Sequence, residues 1–333
     1  MSSNKSFAKL YIAIAITIFA GANSVSSKLA DIGMQNTVAG RNPISFCNLL
    51  FVGNLVALLT LATVYGGKWQ PGCLSRLSFL DWIVLLGAAI VAGTIAPTLT
   101  FLALQQTSAT NVVLVSRIQS PITLALFALM GDRKNWWIFT GEIVAALGIM
   151  AMLLLQSPEN YTEIGLMRIG NGELLAMGGA ICLSLAKLIR GTWFKERISL
   201  GVWAIIRTAV GTVAFAALVA HLFTLSHFMD VFHPLVWRWV ALYGVVIVAG
   251  GQILWFKGLE TVSFQAVSYA GYLIPIAGVA IAYFILGEVP TVPQYIGIVT
   301  ILIGSALNQI GIAKSNKAQS KTDVERFTQF QGI

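Results

Sequence analysis

Ten stretches of roughly twenty apolar residues follow one another along this chain, near 8–29, 43–65, 82–103, 107–130, 135–155, 171–192, 200–223, 235–257, 261–286 and 291–312. No other feature narrows the fold as much. About 20 apolar residues in a helix cross the hydrocarbon core of a bilayer. One such run has a soluble alternative as a buried core helix, but ten in series do not. Charged residues make up only 10% of the chain, against about 25% in a soluble domain. The expected fold is an all-α integral membrane protein of ten transmembrane helices with short loops. The first run also resembles a secretory signal, but it is longer than the usual apolar core and nine more spans follow it.

Orientation follows from the basic residues. With the N-terminus inside, the inner segments hold Lys5, Lys9, Lys68, Arg76, Arg133, Lys134, Arg190, Lys195, Arg197, Lys257 and the cations of the tail, while the outer loops hold Arg41, Arg168 and Arg238. This asymmetry predicts two cytoplasmic termini. The net charge of +8 is then accounted for by anionic lipid headgroups as contacts and calls for no nucleic-acid partner. No organellar transit sequence is apparent, which favours a prokaryotic inner membrane. Cys47, Cys73 and Cys182 form no CxxC pair and read as thiols in apolar surroundings. His221, His227 and His233, with Asp230, have no zinc spacing, and neither a metal nor another cofactor is expected.

Two segments carry the same marks in the same order. FLALQQTSATNVVLVSRIQSPITLALFALMGDR starts at Phe101, and FKGLETVSFQAVSYAGYLIPIAGVAIAYFILGEV starts at Phe256. Each opens Phe-x-x-Leu, has a Ser seven residues on and a Pro about twenty on, and ends at Gly-acid, Gly131-Asp132 and Gly287-Glu288. Gly141 and Gly148 then match Gly297 and Gly304 in spacing. The expected organisation is two repeats of five helices, 1–158 and 159–313, with a polar cytoplasmic tail at 314–333. Five is odd, so the second repeat enters the membrane inverted. Inverted repeats are a hallmark of secondary transporters, whose sites lie near the midplane between the halves.

On these marks the chain resembles the drug/metabolite transporter superfamily, specifically its ten-helix EamA-type members. The residues concerned are ALQQTSA at 103–109, Pro121, Gly131-Asp132 and the G-x6-G of the fifth span, then GLETVSFQA at 258–266, Pro275, LGE at 286–288 and Gln294-x-x-Gly297-x6-Gly304. The resemblance covers both halves and implies secondary transport, with export as its usual direction. There are departures. IFAGANS in the first span lacks the family's Trp, the second span offers Asn48 and Asn54 where many members have Arg, and GDR stands for GER. No member's substrate carries over.

Polar residues inside the spans point to the site. A charge at the bilayer centre costs about 2.5–3.5 kcal/mol on insertion scales, so such residues face the bundle interior or a cavity. Ser116, Arg117, Gln119, Ser120 and Thr123 form one polar arc in the fourth span. Pro121 cannot donate to the Arg117 carbonyl, which predicts a broken helix there. Gln265, Ser268, Tyr269 and Tyr272 share one face of the ninth span, and Pro275 follows them as a second expected break. Asn23 and Lys187 occupy equivalent depths in the first and sixth spans, and Arg207 lies within the seventh. For Lys187 and Arg207, snorkelling to the interface is the open alternative. Glu142 is the clearest intramembrane acid, either pairing with Arg117 or Lys187 or holding a coupling proton.

Asn23, Arg117, Ser120, Lys187, Gln265, Tyr269 and Tyr272 are therefore the candidate solute ligands, with Glu142 and Arg207 as charge pair or coupling groups. Excess cations favour an anionic or zwitterionic organic solute, such as an amino acid or related carboxylate. The alternatives are an integral membrane enzyme, a sensor without transport, and a passive channel. No HExxH, G-x-S-x-G or paired intramembrane carboxylate supports catalysis, and no filter-like repeated loop supports a channel. A homodimer is left open.

Overall fold

The computed structural model describes residues 2–38, 40–66, 74–131, 135–156, 161–164, 167–194, 197–222, 232–259 and 264–315. Ten helices account for nearly all of these. They are α1 (Ser2–Gln35), α2 (Phe46–Tyr65), α3 (Phe79–Leu104) and α4 (Ala109–Leu129), α5 (Trp136–Leu155), α6 (Asn171–Trp193), α7 (Leu200–Leu222), α8 (Pro234–Leu259), α9 (Phe264–Leu286) and α10 (Val292–Ser315). Among the described residues, nine helices have the length and apolar content to cross a membrane, and the stretch Leu273–Leu286 of α9 counts as a shorter apolar helix. Each expected span coincides with one of the ten. Between α5 and α6 a two-stranded antiparallel ladder, β1 (Tyr161–Ile164) with β2 (Met167–Gly170), forms just before α6.

Local chemistry sets the helix starts. Ser45 and Ser108 accept from the backbone N–H groups of Asn48 and Asn111, which caps α2 and α4. Ser78 and Asp81 make a reciprocal capping box at the start of α3. Asp81 then takes both Arg197 guanidinium nitrogens at 2.9 Å and the Trp193 indole N–H at 2.7 Å. That cluster ties the start of α3 to the α6–α7 connection.

The bundle is apolar on the outside and carries much of its polarity within. Phe284 is 82% exposed and Val213 69%, whereas Ser24, Asn48, Thr123 and Ser184 are fully buried. Such a surface is stable in lipid and not in water.

The helix contacts repeat between the halves. If α1–α5 correspond in order to α6–α10, the packing of α1 on α9 corresponds to that of α6 on α4, and α3 on α6 corresponds to α8 on α1. The α2–α7 and α5–α10 pairs map onto themselves. A wide π-turn interrupts α3 at Val91–Ile95 and α8 at Gly244–Gly250. The glycines matched in the sequence lie where the halves meet. Gly141 and Gly304 touch at the α5–α10 crossing, Gly148 faces Thr300, and Gly297 faces Met152. At Gly141 and Gly304 the two backbones approach to contact, while Gly148 and Gly297 leave room for the facing side chains, the small-residue packing that membrane helices use.

Candidate functional site

A cavity of about 400 Å³ lies between the two halves, a size suited to a small organic molecule. It runs from the middle of the bundle, at Asn23, Arg117, Gln119, Lys187 and Tyr243, toward the side bearing the N-terminus, at Arg190, Leu200, Trp203 and Leu259. Phe19, Trp255 and Phe256 supply apolar wall.

The break in α4 places Arg117. The helix stops at Ser116 and restarts at Gln119. The Arg117 and Ile118 amides donate three residues back, to Leu114 and Val115. The Arg117 carbonyl, which Pro121 cannot serve, accepts from the Ser120 N–H at 3.1 Å. A tight turn thus meets the need left by the proline. Pro275 behaves differently. It lies inside α9, which runs unbroken from Phe264 to Leu286, so the expected second break does not occur. The proline removes one backbone hydrogen bond, and a membrane helix tolerates that loss when its neighbours hold it in line.

Asn23, Arg117, Lys187 and Arg207 all line the cavity. The charges of Arg117 and Arg207 both reach Lys187. The Lys187 ammonium is buried and has no hydrogen-bond partner among the described residues, as is also true of the Gln119 amide nitrogen. Arg207 comes close because α3 has a glycine opposite it. A Cβ on Gly93 would collide with the Arg207 backbone carbonyl and lie 3.2 Å from its Cγ. No Asp or Glu is among the described lining residues.

Glu142 and Ser120 are not among the lining residues. They bond to each other, the Ser120 hydroxyl donating at 2.8 Å, and Asn308 of α10 donates to the same Glu142 oxygen at 2.8 Å. Arg117 acts on Glu142 through its charge. This buried cluster joins α4, α5 and α10 across the two halves. The side chains of Gln265, Tyr269 and Tyr272 lie outside the described residues.

Several features of the site are not evident from the sequence. Arg190 reads as an inner-loop cation, yet it is only 7% exposed and lines the cavity. Tyr243 and Gln252 of α8 line it as well, and the Tyr243 hydroxyl accepts from Ser26 of α1 at 3.1 Å. The signal for them is two polar residues nine apart in an apolar span. At the opposite end of the bundle a polar network lines a second hollow of about 550 Å³. Glu288 accepts from the Ala109 and Thr110 amides, capping α4 from the other half. Glu173 accepts from Thr107 and Asn111, and Gln294 donates to the Asn111 side-chain oxygen at 2.6 Å. Among the described residues, no group of His, Cys, Asp and Glu is arranged to hold a metal ion.

The EamA-like transporter family matches this chain twice, over residues 8–154 and 170–309. A protein of Synechocystis sp. described as an uncharacterized transporter is 34% identical over 309 residues, covering 92% of this chain and 88% of its own length. A protein of known crystal structure shares the fold with a TM-score of 0.56, over 94% of this chain and 99% of that one, at 15% identity.

Proposed function

We propose that this chain, which belongs to the EamA-like transporter family, moves a carboxylate-bearing metabolite, an amino acid or a related acid, across the membrane by alternating access. It is a multi-pass membrane transporter of the EamA type. One observation supports the substrate class. A cavity between the halves is lined by Arg117, Lys187, Arg190 and Arg207 and by no described acid. Arg117, held on the α4 turn, takes the carboxylate in a two-pronged hydrogen bond. Lys187 supplies a second charge. Asn23 and Gln119 select polar groups, and Gln265, Tyr269 and Tyr272 approach from α9. Phe19, Trp203 and Trp255 hold the apolar part of the solute.

The halves 1–158 and 159–313 rock about the α5–α10 contact. In the described arrangement the polar network around Glu173, Asn111, Gln294 and Glu288 holds one end together while the cavity reaches toward the other. With both termini in the cytoplasm of a prokaryotic cell, that cavity faces the cytoplasm, as an exporter requires for loading. The protein needs no catalytic group and no cofactor for this cycle.

The test is a thermal-shift screen of the purified protein in detergent, with amino acids, carboxylates, phosphorylated metabolites, nucleosides and organic cations. A ligand at about 100 times its dissociation constant adds roughly 2.7 kcal/mol. Stabilisation by carboxylates that disappears in Arg117→Gln supports the reading. Stabilisation by cations or neutral solutes alone, unchanged in the variant, overturns it.

A further inference from the structure

The surroundings of Glu142 suit a carboxylic acid better than a carboxylate. Glu142 lies in the second turn of α5 and is buried, as is Asn308 beside it. Its Oε1 takes two hydrogen bonds at 2.8 Å, from the Ser120 hydroxyl and from the Asn308 amide nitrogen. Nothing among the described residues donates to its Oε2. The other atom of the same Asn308 amide, Oδ1, is also buried and has no partner. An amide that donates to one oxygen of a carboxyl group can accept from a hydrogen on the other, which closes a ring of two hydrogen bonds. One proton on Oε2 therefore supplies the donor that Asn308 lacks. Glu142 also forms no ion pair with a described cation, whereas Asp81 holds Arg197 at 2.9 Å. A full negative charge at this depth without a cation in contact is costly, and a proton removes that cost. Two helices pack on this part of α5. From α4 comes Arg117, which acts on Glu142 through its charge. From α10 come Lys314, which lies 4.4 Å over the Trp137 ring, and Tyr295, near the opposite end of that helix.

We propose that Glu142 is a proton-binding site, with the proton carried on Oε2 and donated to Asn308 Oδ1, and that this proton and a solute anion at Arg117 bind together. The proton comes from water and returns to it, so the Oε2–H bond is the one that forms and breaks. The link to the cavity is short. The Ser120 N–H donates to the Arg117 carbonyl and the Ser120 hydroxyl to Glu142. An ionised Glu142 offsets part of the Arg117 charge and repels an incoming anion, and a protonated Glu142 does neither. The proton site stands on the Glu142–Asn308 geometry. Its linkage to the solute rests on the cavity being the substrate site, as proposed above, and deepens that reading.

Infrared titration of the full-length protein in detergent tests the site without any solute. A protonated carboxyl group has a carbonyl stretch separate from the carboxylate bands. An ordinary glutamate, with a pKa of about 4.3, is ionised at about pH 7. The proposal predicts an acid band that persists there and is lost in Glu142→Gln, whose amide can make the same two bonds to Asn308. Asn308→Leu is expected to shift that band, since it takes away both the donor to Oε1 and the acceptor of the proton, and it guards against misfolding of the first variant. No acid band at about pH 7, or one that neither variant alters, overturns the proposal. The linkage is read by calorimetric titration of 3-phenylpropionate, itself ionised throughout, at about pH 6 and about pH 9. Protonated Glu142 favours the anion, so affinity is highest at low pH and falls as the proton leaves. The parent is expected to lose about three- to tenfold more affinity over this range than Glu142→Gln, which cannot ionise. Equal losses in the two overturn the linkage and leave the carboxylate reading standing. Failure of 3-phenylpropionate to bind at either pH counts against the carboxylate reading, and the infrared titration then decides the proton site by itself.

Discussion

The close approach of Gly141 and Gly304 makes a quantitative prediction. A methyl group added at Gly304 would lie 2.9 Å from the Ala145 nitrogen, 3.1 Å from the Ala145 Cβ, and closer still to the Gly141 carbonyl oxygen. Carbon and oxygen settle no nearer than about 3.3 Å, so Gly304→Ala forces α5 and α10 apart by roughly 1 Å. A gap of 0.5–1 Å forfeits about a quarter to a half of each dispersion contact, and α5–α10 is the most extensive helix pair in the bundle. The expected cost is about 2–4 kcal/mol, at or above the usual range for overpacking. Gly141→Ala meets the same obstacle from the other side, since its Cβ would strike the Gly304 carbonyl and lie 2.9 Å from the Asn308 Cγ. Once either methyl has parted the helices the second costs less, so the double variant should fall about 1–2 kcal/mol short of the summed single costs. A methyl group added at Gly87 would meet no other atom within 4 Å. Gly87→Ala is therefore the control, expected to be neutral or stabilising by up to about 1 kcal/mol. The assay is equilibrium unfolding in mixed micelles of mild detergent and dodecyl sulfate. Single alanine variants within about 0.5 kcal/mol of the parent, or a strictly additive double, would refute the argument.

Three further outcomes follow from the polar contacts. Glu288→Ala removes an acceptor from the Ala109 and Thr110 amides and should destabilise by about 0.5–2 kcal/mol in the same unfolding assay, with Glu288→Asp intermediate. Asp81→Ala loses the Arg197 pair, the Trp193 bond and the capping box together; its melting temperature should drop further than that of Arg197→Ala alone, and equal drops would argue that Arg197 is the sole partner of consequence. Asn308→Leu strips one donor from the buried Glu142 at an expected cost of about 1–3 kcal/mol, and Ser120→Ala, which removes the other, should be less than additive with it.

The spans are readable because lipid imposes one rule on every helix, a run of apolar residues long enough to cross. The repeat is readable because glycines and prolines keep their spacing where helices pack closely or turn, as at Gly141 and Gly304, whose backbones touch, and at Gly148 and Gly297, which admit a facing side chain. Pro121 announces its turn, but Pro275 shows that a proline states only which hydrogen bond is lost. Whether the helix yields depends on neighbours that sequence spacing does not reveal. Asn23, Lys187 and Arg207 are legible by depth alone. Arg190 is not, because a cation near a span end reads as a loop residue until its neighbours enclose it. Asp81 is easily passed over, although the Ser-x-x-Asp of a capping box, SFLD at 78–81, stands before an apolar run. Ser120 and Glu142 stand out as polar and deep, but their bond to each other depends on Asn308 arriving from the far half, a pairing no local pattern encodes.

The most direct measurement for the central claim, that this cation-lined cavity carries an organic anion through the membrane, is counterflow in proteoliposomes. Vesicles loaded with an unlabelled anion that stabilises the purified protein are diluted into a trace of the labelled compound. The account predicts transient, saturable accumulation of label that Arg117→Gln abolishes although the variant folds. Uptake that never exceeds equilibrium and does not saturate, or accumulation equal in the parent and in Arg117→Gln, would contradict it.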